Sequence, residues 1–185
     1  CMFCSAGYSN PNFTLDLGDK FDTSNVTDMR EMFHRTGYSS TVFTLDLGDK
    51  FDTSNVTNMQ SMFSLTGENS TKFTLDLGNR FNTHNVTNMR SMFYETGRYN
   101  PVFTLDLGDN FDTSKVTNMR NIFYATGENS KVFTLDLGNK FNTSNVTDMS
   151  YMFFKSFNLK TIPALNATKL TSINFYFGTN MENLT

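Results

Sequence analysis

Phe13-Thr14-Leu15-Asp16-Leu17-Gly18 returns as F-T-L-D-L-G at Phe43, Phe73, Phe103 and Phe133, at intervals of 30 residues without one insertion. Within each copy apolar and polar residues alternate with period 2, which reads as a short strand with Phe13, Leu15 and Leu17 inward and Gly18 as its stop. Outward from this stretch everything keeps step. Phe21, Phe51, Phe81, Phe111 and Phe141 form a second column, and Phe3, Phe33, Phe63, Phe93, Phe123 and Phe153 a third. Methionines fill two more, through Met29 and Met32, with Ile122 in one gap. A fixed period of this kind is the signature of a solenoid, in which each coil buries its apolar edge on the next.

The rest of the coil is read from local signals. Thr27 is placed to cap a helix whose Met29, Met32 and Phe33 fall at i, i+3 and i+4, and Gly37 sits where a left-handed C-cap ends it. The expected fold is therefore an α/β repeat solenoid, leucine-rich-repeat-like, each coil carrying a short parallel strand and a short helical turn. Val26-Thr27 leaves open 3₁₀ turns or a second strand in place of the helix, giving an all-β solenoid. Five coils start at 13, 43, 73, 103 and 133, and a shorter degenerate coil follows over 154–185, all as one solenoid domain. In that last coil Ser156-Phe157 replaces Thr-Gly, Leu159, Ile162 and Leu165 are its apolar residues, and Ile173 and Phe177 stand in for Met149 and Phe153. Cys1-Met2-Phe3 aligns with Glu31-Met32-Phe33, so the chain opens in mid-coil and reads as a segment of a longer protein.

Composition narrows the function. The 185 residues hold 15 Lys and Arg against 18 Asp and Glu, a net charge of −3, where a nucleic-acid binder carries a basic excess. No apolar run approaches the ~20 residues of a membrane span. G-x-S-x-G, H-E-x-x-H and phosphate-binding glycine loops are missing, and the carboxylates recur periodically rather than as a differentiated pair. The sequence reads as that of a non-enzyme without a cofactor or metal.

The run F-D-T-S-N-V-T-D-M-x-x-M-F over Phe21–Phe33, recurring at 51–63, 81–93, 111–123 and 141–153, closely resembles the BspA-like leucine-rich-repeat surface proteins. That group includes the Mycoplasma-type repeat domain of unknown function widespread in Firmicutes. The resemblance implies a secreted or wall-anchored bacterial protein at the cell surface, adhering to host matrix protein, glycan or another cell. The usual coil of that family is shorter, with L-x-x-L-x-L where this chain has F-T-L-D-L.

Two sets of residues are candidates for contact. The outward strand positions stack into ladders, Thr14, Thr44, Thr74, Thr104 and Thr134 beside Asp16, Asp46, Asp76, Asp106 and Asp136. Such a face binds a cation or a polymer, or it is a solvated, internally hydrogen-bonded ladder. The variable return loops hold Tyr8, Tyr38, Tyr94, Tyr99 and Tyr124 with Arg35, Glu68, Arg98 and Glu128, side-chain types favoured as binding anchors. Asp16, Asp19 and Asp22 hint at calcium, yet the coil at Phe73 offers Asp76, Asn79 and Asn82, an exchange that suits turn chemistry better. Cys1 and Cys4 alone make neither a zinc nor a redox site. His34 and His84 occupy different coil positions. The N-x-S/T sequons at Asn12, Asn25, Asn55, Asn69, Asn85, Asn142, Asn145, Asn166 and Asn183 are glycan acceptors only in a eukaryotic secretory route.

Two functions follow as expectations. One is an extracellular binding and adhesion module; the other is a stalk or spacer displaying another domain. Five coils at ~5 Å each reach only about 25 Å, so a spacer calls for many more. Ice binding by a flat threonine array is disfavoured, because each Thr alternates with a charged Asp.

Overall fold

The computed structural model describes residues 1–78, 80–157, 159 and 164–172. Strands β1 (Asn12–Asp16), β2 (Val42–Asp46), β3 (Lys72–Leu75), β4 (Val102–Asp106) and β5 (Val132–Asp136) lie in chain order in one parallel sheet. Phe13 stands opposite Phe43, Thr14 opposite Thr44 and Asp16 opposite Asp46, and β4 and β5 keep the same register. Slipping one residue would drive threonine and aspartate into the core, so the uninterrupted spacing and the register are one fact. Phe43 and Leu45 are buried while Thr44 and Asp46 are exposed, and the pattern repeats along the stack.

No helix occurs among the described residues, so the α/β expectation is corrected: this is an all-β parallel solenoid. Residues 29–40 form a chain of tight turns. Met29, Glu31, Phe33 and Arg35 donate their N–H groups to Asn58, Gln60, Met62 and Ser64 carbonyls of the next coil, at 2.9–3.0 Å. The intervening Met32, His34, Thr36 and Tyr38 donate locally, three residues back, at 3.0–3.2 Å. Glu31 and Arg35 accordingly take φ of 57° and 59°. An α-helix is about 10–12 Å across and bonds its own backbone. Coils stacked at sheet spacing, ~4.8 Å, leave no room to pile such helices, and the turn chain fills the rung instead.

The inward face survives this change, since Met29, Met32 and Phe33 are all buried. Thr27 is no helix cap; its column forms a ladder in which the Thr57 hydroxyl and N–H both donate to the Thr27 carbonyl, at 3.2 and 2.9 Å. Gly37 keeps its left-handed backbone, φ 63°, at the end of a turn chain. Phe33, Phe63, Phe93 and Phe123 stack at 5.4–5.7 Å on this wall. Phe43, Phe73 and Phe103 stack at 4.9–6.0 Å behind the strands. Similar spacing on both walls removes the wedge that a helix paired with a strand would impose.

Buried threonines tie coil to coil. The Thr66 hydroxyl donates to the Phe33 carbonyl at 2.7 Å, and Thr96 and Thr126 repeat this at 2.6 Å to Phe63 and Phe93. The Thr53 hydroxyl donates to the Asn82 carbonyl at 2.8 Å and accepts from the Asn82 N–H at 2.7 Å. Thr66→Val, nearly isosteric, removes one of the two donors to the buried Phe33 carbonyl, which keeps the Thr36 N–H at 3.0 Å. It is expected to lower unfolding stability by ~0.5–1.5 kcal/mol in a urea titration, whereas the exposed Thr74→Val changes it little.

Beyond β5, Thr171 donates its N–H to the Thr147 carbonyl at 2.9 Å, an offset of 24 residues. Asn79, Ile162, Ile173, Phe177 and Asn183 lie outside the described residues.

Candidate functional site

The sheet face is built by alternation. Thr14, Thr44, Thr74, Thr104 and Thr134 are all exposed, as are Asp16, Asp46, Asp76, Asp106 and Asp136. Each aspartate closes its own strand: Asp16 Oδ1 accepts the Gly18 N–H at 2.8 Å, and the equivalent bonds at Asp46, Asp76, Asp106 and Asp136 are 2.9 Å. The threonine column is different. Its hydroxyls have no hydrogen-bond partner among the described residues, in contrast to the buried threonines. At the ends of β2 and β3 an open cleft of about 600 Å³ is lined by Thr44, Asp46, Asp49, Asp76 and Arg80.

The acidic turn beyond it is turn chemistry. Asp22 Oδ1 accepts the Ser24 N–H at 2.9 Å, Asp52 that of Ser54 at 2.8 Å, and Asn82 that of His84 at 3.0 Å. The Ser24 and Ser54 backbone and hydroxyl bonds hold the Asp22 and Asp52 carboxyls below the usual range. Burial pushes Asp112 up, but the same pair of bonds from Ser114 outweighs it and holds this carboxyl low. Asparagine closes the same turn, which explains the exchange. Among the described residues no group of three or more His, Cys, Asp or Glu is placed to hold a metal ion.

On the return face the structure gathers the predicted tyrosines into stacks. Tyr8 lies on Tyr38 with centroids 5.2 Å apart and planes 4° apart, and Arg35 sits over both at 5.7 and 4.8 Å. Tyr94 lies on Tyr124 at 4.6 Å, and Tyr124 on Phe154 at 5.1 Å. Tyr99 joins neither stack; it is 43% exposed, with Arg98 5.1 Å from its ring centre. Within the two stacks the ring faces a flat ligand would use are thus turned on each other, although Tyr8, at the end of its stack, is 52% exposed. Burial and the Glu95 carboxylate push the Tyr94 phenol up, and burial with Glu68 does so at Tyr38.

Arg98 is the hub of an ion network whose extent the sequence reading missed. Its Nη1 lies 3.0 Å from Glu95 and 3.6 Å from Glu68, and its Nε 2.5 Å from Glu128, which Lys155 approaches at 3.6 Å. Tyr38, Glu68, Arg98 and Glu128 are one column at the 30-residue period, and that alternation of charge was the available signal. His34 is half-buried, and that burial holds its imidazole below the usual range; His84 Nδ1 meets Asn82 Oδ1 at 2.8 Å in another part of the coil. Cys1 and Cys4 form a disulfide, with Cα atoms 5.6 Å apart.

Stacked coils, each knitted to its neighbours and sharing one continuous core, define a repeat protein of the parallel β-solenoid class. The chain belongs to the family described as "Mycoplasma protein of unknown function, DUF285", whose model matches residues 2–123 and again 99–183. No curated protein and no solved structure matches. Among the described residues no helix is long and apolar enough to cross a membrane.

Proposed function

We propose that this solenoid is a non-catalytic structural repeat, a stalk or spacer that displays another domain at a bacterial cell surface. One observation carries the reading. The return-loop side chains suited to recognition, Tyr94 with Tyr124 and Arg98 with Glu128, are engaged in bonding one coil to the next. The resemblance to BspA-like leucine-rich-repeat surface proteins supports an extracellular setting and kinship with that group.

Deleting residues 43–72 tests the spacer. This cut preserves the period and seats Arg98 over Tyr38, whereas deleting 73–102 would set Glu128 over Glu68. The shortened chain is expected to fold cooperatively and to lose about 5 Å of length by small-angle scattering. Collapse of the fold would show that the coils are not interchangeable units and would sink the reading.

A second reading, adhesion to host matrix protein, glycan or another cell, is favoured by the exposed threonine column with its spare hydroxyls. Many weak contacts along a repeated face add through avidity. An array of matrix proteins and glycans separates the two. Silence from the folded chain is expected for the stalk. A saturable hit lost on Thr44→Val with Asp46→Asn, but kept in Tyr38→Ser and Tyr94→Ser, would replace the stalk with an adhesin.

A further inference from the structure

The Arg98 network holds an imbalance. Among the described residues Glu68, Glu95 and Glu128 form ion pairs with Arg98 and Lys155, three carboxyls against two cations. All three carboxylate side chains are at most 13% exposed, so water screens them poorly. Glu68 is the deepest, and its Oε2 is buried with no hydrogen-bond partner among the described residues. Glu68 Oε1 and Glu95 Oε2 approach the same Nη1 of Arg98, from adjacent coils. An unpaired buried carboxylate oxygen next to a second carboxyl is unfavourable unless a proton lies between them.

We propose that Glu68 and Glu95 share one proton beside Arg98, and that this sharing makes the return face a clasp that tightens in acid. With the proton in place the carboxyls hydrogen-bond each other and the cluster is neutral; without it one negative charge is left over. The clasp reaches from Tyr38 in the first coil, through Glu68, Glu95 with Arg98, and Glu128, to Lys155 at the start of the degenerate coil. Tyr38 faces Glu68 from below, with Arg35 over the Tyr38 ring; Tyr94 and Tyr99 flank Glu95 and Arg98, with Tyr124 behind Tyr94. Burial, together with the Glu95 charge, pushes the Glu68 carboxyl above its usual range against the pull of Tyr38 and Arg98.

The sign follows from linkage. A carboxyl raised in the folded state binds more protons there, so its contribution is fully present in acid and is lost as pH rises through the folded value. Asp22, Asp52 and Asp112 are depressed, and their contribution is lost only as pH falls below about 4, outside this window. His34 is depressed by burial and titrates in the same window with the opposite sign, so the test uses a His34→Asn background.

In that background the folded fraction at fixed urea is measured between pH 5 and 8. The folding equilibrium is expected to weaken about tenfold per unit by which the shared site is raised. Glu68→Gln supplies the bridging proton permanently. It is expected to flatten the profile and to be more stable than its parent at pH 8. Glu95→Gln does the same from the other side and serves if the first variant fails to fold. Carboxyl carbon-13 NMR of the parent is expected to show one of the pair titrating above the ordinary glutamate range. Parallel pH profiles in parent and variants, or two carboxyls titrating ordinarily, would overturn the proposal.

Discussion

Gly37→Ala lowers unfolding stability by about 2–5 kcal/mol, read as a shifted midpoint in urea, while Gly108→Ala costs ~1–2 kcal/mol. Both glycines sit in left-handed backbone, φ 63° and 69°. What separates them is the neighbour. A Cβ on Gly37 would lie 2.3 Å from the Phe43 ring, whereas one on Gly108 meets nothing within 4 Å. The left-handed conformation costs a side chain roughly 1–2 kcal/mol at either site. Displacing a packed aromatic adds about 1–3 kcal/mol at Gly37 alone. Equal losses at the two sites would mean that the Phe43 contact does not constrain the coil.

Phe63→Ala is the second large effect, an expected loss of about 3–5 kcal/mol. Phe63 is fully buried, stacked between Phe33 at 5.4 Å and Phe93 at 5.7 Å, with Phe81 tilted against it at 6.0 Å. Removing the ring leaves a cavity and breaks two aromatic stacks, each worth roughly 0.5–1.5 kcal/mol beyond burial. Phe13→Ala is the comparison, at a ring that is only half-buried and stacked on one side, at 5.7 Å on Phe43. It is expected to lose less than half as much. In a stack held by nearest neighbours, hydrogen exchange should quicken most in the coils carrying Phe33, Phe63 and Phe93. Uniform quickening across the chain would show a single cooperative unit instead.

How far the sequence could be read differs between the two walls of the coil. The strand wall was legible because period-2 alternation has one structural solution, and Phe13-Thr14-Leu15-Asp16 lies within β1. The turn wall was not. Met29, Met32 and Phe33 satisfy a helical spacing, yet three residues facing one way in a turn chain satisfy it equally. The deciding feature is that Glu31 and Arg35 adopt positive φ, and neither residue type announces this. Their conformation is set by the Gln60 and Ser64 carbonyls that receive their N–H groups, which are non-local partners.

The candidate residues divide in the same way. The aspartates' role in turns was readable, because Asp16 and Asp22 bond backbone two residues ahead. The fate of the tyrosines was not, because stacking Tyr8 on Tyr38 or Tyr94 on Tyr124 joins residues 30 apart. By itself, then, the sequence determined the period, the parallel register and the inward columns. All three follow from the hydrophobic pattern and its unbroken spacing. The tertiary structure alone decided whether the coil carries a helix, and which polar side chains remain for a partner. Both depend on how closely one coil lies on the next, a distance that no single coil contains.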